Sequence, residues 1–469
     1  MSMNSILKDS IVVRTAAALA LAFAFVSGAH AQLRVGAARI DITPPLYPGW
    51  QGPTGKFDNE HLYARAIVVD NGKTRAAILG VDQGGLANDV WDDASKRIAS
   101  ELDIPVDQVL MSATHTHSAG IPIGGVPAAT MEANDKRVAD AMVKAVEEAK
   151  GKLQPAVMAF GTGKAYLNVN RDSVNPDTHL WTQAPNPNAP SDKTVAVLAF
   201  ETPQGEPIAI YVNYAMHPIN IYLANFTSAD FAGAMCNYLE KNYDKATVIF
   251  SQGASGDQNP LYLHESTDGM ASRSGAAITG NDMMREPVEE PLRDGKVEAR
   301  PMDPAVRERL ETWMNAEGMI LGEEVIRVIT NAKPEQGNAR IWGKQTEVTC
   351  PGRTRTDKGR EGMTGSYVDG PPVPLRLGMI GIGDVALTHA DAEVYTMIGQ
   401  RLKQQSPMTN TVFVTLANGR APSGYVPDDE SYGHKTFQVL GARIKQGCAE
   451  QTISNTLDGM IAEYDQQKP

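Results

Sequence analysis

Apolar and β-branched runs at residues 62–70, 75–82 and 108–113 are separated by polar breaks and by one stretch, about 90–102, whose apolar positions recur at helical spacing. Short runs of the first kind predict strands, and the 3.6-residue spacing predicts a helix. The rhythm continues with a helix over about 133–150, strands near 195–200, 208–214 and 247–250, and a helix beginning near Phe231 between the last two. Beyond these come a helix over about 304–331, a strand at 340–349, two short strands within 375–387, and a helix running to about Gln404. Strands alternating with helices predict an α/β fold. The expectation is one domain built on a mixed β-sheet with flanking helices, its site assembled from loops at the C-terminal ends of strands, where such sheets bind ligands. Two stretches break the pattern. Residues 262–301 turn to Gly, Ser, Asp, Arg and Glu without a period and read as a long surface excursion, and 352–370 is polar and Gly-rich. Neither an internal repeat nor an interdomain linker is visible.

Composition narrows the picture. The chain has 469 residues, 42% hydrophobic and 21% charged, enough to bury a large core. A formal net charge of -12 without a Lys/Arg cluster excludes an electrostatic grip on nucleic acid. Lys8 and Arg14, the apolar run 15–28 and Ala29-His30-Ala31 read as a secretory signal over residues 1–31, with the mature domain spanning 32–469 in the periplasm or outside the cell. The apolar run is shorter than the roughly 20 residues a membrane span needs. Three cysteines, Cys236, Cys350 and Cys448, allow at most one internal pair plus one free thiol. They lack the C-x-x-C spacing of a structural zinc site.

Candidate chemistry lies at the ends of the predicted strands. In Ser112-Ala113-Thr114-His115-Thr116-His117-Ser118, two imidazoles two residues apart on an extended chain point the same way. They suit a metal or catalysis, or are two hydrogen-bonded loop histidines. His217, in Tyr214-Ala215-Met216-His217-Pro218, ends another strand and reads equally as a satisfied core histidine. In Ser251-Gln252-Gly253-Ala254-Ser255-Gly256-Asp257-Gln258-Asn259-Pro260, small residues let backbone amides approach a bound oxygen, or form an ordinary turn. Carboxylates in Thr388-His389-Ala390-Asp391-Ala392-Glu393 can ligate a metal, take a proton, or cap the following helix. Tyr425 stands in a Gly- and Pro-rich loop.

Taken in order, these segments resemble the neutral, non-lysosomal ceramidase family. The resemblance starts at Val35-Gly36 and Asp41-Ile42-Thr43-Pro44 and runs through Thr114 to Ser118, Asn213 to Pro218, Gly256-Asp257, Asp391-Ala392-Glu393 and Gly424-Tyr425-Val426-Pro427. It implies one Zn²⁺ per chain with His115, His217, Glu393 and Tyr425 as ligands, the metal polarising the substrate carbonyl and lowering the pKa of water toward about 7. It further implies that His117 is a second active-site histidine and that Arg171, in Asn168-Val169-Asn170-Arg171-Asp172-Ser173, meets the substrate or the developing oxyanion, unless it makes only a surface salt bridge. Asp82 and Asp230 are expected to orient the ligating histidines.

Two departures bear on the chemistry. Where the family reads Gly-Asp-x-Ser-Pro, with the serine proposed as nucleophile, this chain has Asn259, and the tyrosine expected beyond Tyr425 is Phe437. An amide cannot attack in place of a hydroxyl, so water becomes the expected nucleophile. His117 or Tyr425 then protonates the leaving amine, and Arg171 with the amides of 253–259 and Asn259 stabilises the oxyanion. The expected substrate is a small-molecule or lipid amide such as ceramide, with room for transient contact with a membrane surface. Another N-acyl or ester substrate, and a metal-binding relative without turnover, are the alternatives. The sequence leaves the oligomeric state open.

Overall fold

The structure, a computed structural model, describes residues 33–46, 60–121, 126–222, 224–244, 246–262, 301–334, 339–359 and 361–467. Strands β1 (Arg34–Asp41), β2 (Tyr63–Asp70), β3 (Arg75–Val81), β4 (Val109–Ala113) and β5 (Gln154–Pro155) form a sheet in the order β4-β3-β2-β1-β5. Along β3, Ala77, Leu79 and Val81 enter one apolar cluster and Ala76 and Ile78 another, because successive strand residues face opposite sides of a sheet. Such a sheet needs cover on both faces. On one side lie α1 (Asn88–Leu102) and α2 (Ala128–Gly151). Helix α1 turns Val90, Trp91, Ala94, Ile98 and Leu102 inward at helical spacing and stops at Asp103, which adopts the left-handed conformation at φ 59°.

The other face packs on two further sheets. One joins β6 (Val157–Lys164), β9 (Thr194–Glu201), β10 (Pro207–Tyr214) and β11 (Thr247–Gln252) in the order β11-β10-β9-β6. The second joins β13 (Ile341–Arg355), β14 (Tyr367–Ile382), β15 (Val385–Ala390) and β17 (Asn410–Val414) in that order. Leu198, Phe200, Tyr211, Ile249, Ile380, Leu387 and Val414 from these sheets share a core with Ile67 and Ile78. Their outer faces are closed by α3 (Asp230–Asn242) with α4 (Pro304–Asn331), and by α5 (Thr396–Gln405) with α7 (Ala449–Gln466). The result is a layered α/β/β/α arrangement. Helix α4 starts where Asp303 accepts a hydrogen bond from the Ala305 amide at 2.8 Å and Pro304 occupies the first turn. Two small sheets complete the strands: β7 (Asn168–Val174) between β8 (Trp181–Asn186) and β12 (Gln258–Pro260), and β16 (Glu393–Val394) beside β18 (Tyr425–Val426). A short helix, α6 (Phe437–Gly441), precedes α7.

The α/β class is as expected, but the single mixed sheet gives way to several. In the three larger sheets the parallel steps, β3 to β4, β10 to β11 and β15 to β17, each adjoin antiparallel pairs, while β16 and β18 form a parallel pair alone. Local periodicity does not reveal which runs share hydrogen bonds. Strands β1 and β6 to β8 and helix α7 were not anticipated, and α2 begins at Ala128 rather than near 133. The largest correction concerns 352–370. There β13 and β14 continue as a long antiparallel hairpin, paired out to Arg355↔Tyr367 with a register shift between Cys350 and Gly352. Its outer part is largely exposed, so it carries no apolar alternation to mark it. The expected leader, residues 1–31, and 263–300 of the expected excursion lie outside the described residues. Among the described residues no helix is long and apolar enough to cross a membrane.

The three cysteines resolve into one bridge and one thiol. Cys350 on β13 is bonded to Cys448 at the start of α7, closing 98 residues of chain, while Cys236 on α3 is buried and free. Cross-linking a loop of this size restricts the unfolded chain, and losing such a bridge costs about 2–5 kcal/mol. Thiol titration of the protein purified without reductant and unfolded in denaturant should find a single thiol. Replacing Cys350 and Cys448 by Ser should lower the unfolding free energy, extrapolated from urea titration, by an amount in that range. Three titratable thiols in the parent protein would remove the bridge.

Candidate metal centre

His115 stands two residues beyond β4, His217 three residues beyond β10, Glu393 at the start of β16 and Tyr425 at the start of β18. Backbone hydrogen bonds stitch these segments together. The His115 amide donates to Gln83 O at 2.9 Å, the His217 amide to Gln258 O at 3.1 Å, the His117 amide to Pro218 O at 3.3 Å and the Glu393 amide to Gly424 O at 2.9 Å. His115 adopts the left-handed conformation, φ 68°, which is costly for a residue with a side chain and turns the chain out of the strand at this point. The Gln252 side chain, fully buried at the end of β11, donates to Thr114 O at 3.0 Å and Met216 O at 2.8 Å, clamping the two histidine-bearing segments against each other. Gly256 is needed for close approach: a Cβ there would lie 2.8 Å from Glu393 O.

The ligating atoms converge. His115 Nε2 lies 3.2 Å from His217 Nε2, and each lies 3.2 Å from Glu393 Oε2. His117 Nε2 is 3.4 Å from His115 Nε2, and the nitrogens of His115, His117 and His217 form a group that could hold a metal ion. The Nδ1 atoms of the first pair face backbone carbonyls, His115 that of Gly84 at 2.5 Å and His217 that of Gln258 at 3.1 Å. A carbonyl only accepts, so both Nδ1 atoms carry hydrogen, and a ring in its neutral form turns its Nε2 lone pair inward. Two lone pairs and a carboxylate oxygen at such separations require positive charge between them. Burial pushes the His217 imidazolium down to about 3, and it also drives His117 well below the usual histidine range. For Glu393, burial works against ionisation but is outweighed by hydrogen bonds and charge from His115 and His217 in their protonated forms, so the carboxyl lies well below its usual range. Neutral imidazoles and an ionised carboxylate are the forms that bind metals.

Arg171 on β7 is buried at the same place. It donates to Gly256 O at 2.5 Å, to Asn259 Oδ1 at 3.1 Å and to the Tyr425 hydroxyl at 3.3 Å, which replaces the alternative of a surface salt bridge. Burial opposes its charge, and Tyr425, Tyr395 and Glu393 restore it. Tyr425 is hydrogen-bonded to Glu393 as well, and burial together with that carboxylate raises its phenol far above the ordinary value. Phe437 packs edge-on against Tyr425 at 5.5 Å between ring centroids, with the Arg171 guanidinium 5.5 Å from its ring. His115, His117, His217, Glu393, Tyr425, Arg171 and Asn259 are therefore all neighbours.

Two expectations fail. Asp82 Oδ2 accepts from Arg65 Nη1 at 2.7 Å and from the Tyr63 amide at 2.8 Å. Asp230 accepts from Asn220 at 2.9 Å and from the amides of Ile221 and Phe231 at 3.3 and 2.6 Å. Neither reaches a histidine, and the orienting acceptors are instead the Gly84 and Gln258 carbonyls, which no side-chain motif could announce. Gln252 was visible only as part of a Gly-rich loop. The Ser251 hydroxyl at the end of β11 lies between Val212 O and the Asn213 amide group, at 3.3 and 3.0 Å.

A family model described as neutral/alkaline non-lysosomal ceramidase, N-terminal, matches residues 35–282, over half of the chain. Among solved structures, neutral ceramidase from Pseudomonas aeruginosa superposes with a TM-score of 0.64 at 15% identity, over 93% of this chain and 75% of that one. A second, described as ceramidase complexed with C2, gives 0.64 at 16% identity, over 93% and 76%. At such identities the structural likeness is one of fold. With the family model spanning β1 to β12 and both histidine segments, the chain belongs to the neutral/alkaline non-lysosomal ceramidase family.

Proposed function

We propose that this protein is an exported, zinc-dependent hydrolase that cleaves the amide bond of an N-acyl lipid such as ceramide. Family membership supports hydrolase chemistry on such a lipid. The observation that carries the metal is the triangle of His115 Nε2, His217 Nε2 and Glu393 Oε2, each side 3.2 Å. Zn–N bonds of 2.0–2.1 Å in a tetrahedron imply ligand separations of about 3.3 Å, so the donor set and spacing suit zinc, with Tyr425 or His117 beside the open position. The centre then lies at the C-terminal ends of β4, β10 and β15. When bound, zinc supplies Lewis-acid polarisation of the carbonyl and acidifies water toward neutral pH.

The chain's own residues do the rest. The Gly84 and Gln258 carbonyls keep the Nδ1 hydrogens of His115 and His217 in place, so their Nε2 atoms face inward. Arg171, steadied by Gly256 O and Asn259, presents its guanidinium to the carbonyl oxygen as negative charge develops there. Water attacks the carbonyl carbon, the new C–O bond forms as the C–N bond breaks, and the water's proton passes by way of His117 Nε2 or the Tyr425 hydroxyl to the leaving nitrogen. Asn259 and Phe437, in place of the family's serine and tyrosine, favour a second reading in which another N-acyl or ester compound is the substrate. A screen of purified protein, with and without zinc, against N-acyl sphingosines, N-acyl amino acids and simple esters separates the two.

Elemental analysis should find one zinc per chain in the parent protein, and His217→Ala should lose both metal and turnover; full occupancy in that variant would remove His217 from the centre.

The nucleophile is open to a separate measurement. Asn259→Ala should slow turnover on the order of 10²–10³-fold, as for a lost oxyanion donor, whereas Glu393→Ala should abolish it. Pre-steady-state traces should show no burst of amine. A stoichiometric burst, with an acyl group trapped on a serine in quenched enzyme, would overturn direct attack by water.

Export rests on the N-terminal pattern alone. The mass of the protein recovered outside the cytoplasm should correspond to a start near Gln32, and retention of residues 1–31 would reject cleavage.

A further inference from the structure

One carboxylate outside the mechanism above touches three of the segments that build the centre. Asp172 follows Arg171 on β7 and is buried, 1% exposed. Its Oδ2 accepts from the Tyr395 hydroxyl at 3.1 Å and from His434 Nδ1 at 2.8 Å, and its Oδ1 from Gln438 Nε2 at 3.4 Å. Its own amide donates to Asn170 Oδ1 at 2.9 Å, and its carbonyl accepts from Asn186 at 2.8 Å. Tyr395 lies two residues beyond Glu393, and His434 and Gln438 flank Phe437. Trp181, on the neighbouring strand β8, stacks on the His434 ring at 4.0 Å between centroids and 24° between planes, so the pair is covered on one side.

We infer that the Asp172–His434 pair is a positioning device for the substrate-facing wall made by Arg171, Tyr425 and Phe437. The inference rests on the hydrolase reading given above. Phe437 has no hydroxyl to tie its segment to the centre. The tie is made three residues earlier, by the His434 Nδ1 hydrogen on a buried carboxylate. Hydrogen bonds to an ionised acceptor in a water-poor interior are shorter and about twice as strong as neutral ones. Because Asp172 is the next residue after Arg171, movement of this carboxylate shifts the β7 backbone that aims the guanidinium. A displacement near 1 Å at a group that orients substrate can cost about 10²-fold in rate.

Three variants test this in the full, zinc-loaded chain. His434→Phe keeps an aromatic ring on Trp181 and removes the Nδ1 donor. His434→Asn restores a donor near the Nδ1 position without an ionisable ring. His434→Gln places its amide at the Nε2 position instead, and replaces His434→Phe should that variant fail to fold. The donor-less variant should lose about 10–100-fold in kcat with KM changed less than about threefold, and hydrogen–deuterium exchange should speed up in peptides carrying Arg171 and Phe437. His434→Asn should recover most of the kcat and the slow exchange. If His434→Asn is as slow as the donor-less variant while exchange stays at the parent level, His434 acts by moving a proton and the positioning role falls. Parent-like kcat and exchange in the donor-less variant, with or without a lower melting temperature, would also overturn it. Should the parent enzyme turn over no N-acyl or ester substrate, the hydrolase reading fails, and the exchange measurement still decides whether the pair holds this wall.

Discussion

Three electron-rich atoms, two imidazole nitrogens and a carboxylate oxygen, are held 3.2 Å apart in the interior of this protein. Left to themselves they repel, and the repulsion is strong where water does not screen it. The arrangement persists because each group is pinned from behind. Gly84 O and Gln258 O hold the two rings. The carboxylate sits on a two-residue strand, β16, paired to β18. A cation or a proton at the centre turns the mutual repulsion of the three into attraction to one point, and most of the surrounding structure maintains that convergence.

The means are mainly backbone hydrogen bonds and small residues. Gln252 spans the two histidine segments, Gly256 lets its loop lie against Glu393 O, and the left-handed His115 re-aims the chain as it leaves β4. Strain of this kind survives only where surrounding contacts over-determine the conformation. Here the layered cores supply them. The first sheet is buried on both faces, and the sheets carrying β10 and β15 press against it through one shared core, so the strands β4, β10 and β15 that lead toward His115, His217 and Glu393 are packed firmly from both sides.

The parts proposed to face the substrate are built differently. Arg171, Asn259, Tyr425 and Phe437 come from the two small sheets and the short helix α6. Such elements have little core of their own, and side-chain hydrogen bonds take over the work of holding them. Arg171 binds Gly256 O, Asn259 and Tyr425, and Asp172 gathers Tyr395, His434 and Gln438. Of the buried carboxyls nearby, Asp257 is pushed up to about 7 by burial and then by the charge of Asp172.

The amino-acid sequence by itself determined the α/β class and the strands after which His115 and His217 stand. These are local properties. Apolar runs mark strands by their period, while the extended chain expected through His115 and His117 gives way to a left-handed turn at His115. The family resemblance added Glu393, Tyr425 and Arg171 because their short motifs survive in order. Only the tertiary structure decided how many sheets there are, that 352–370 belongs to a long hairpin, that Asp82 and Asp230 serve Arg65 and Asn220 rather than the histidines, and that Asp172 reaches His434 across 262 residues of chain. The reason is physical. Which strands pair, and which carbonyl a ring nitrogen meets, depend on contacts between distant segments, and backbone acceptors are present at every residue and so leave no mark in the sequence.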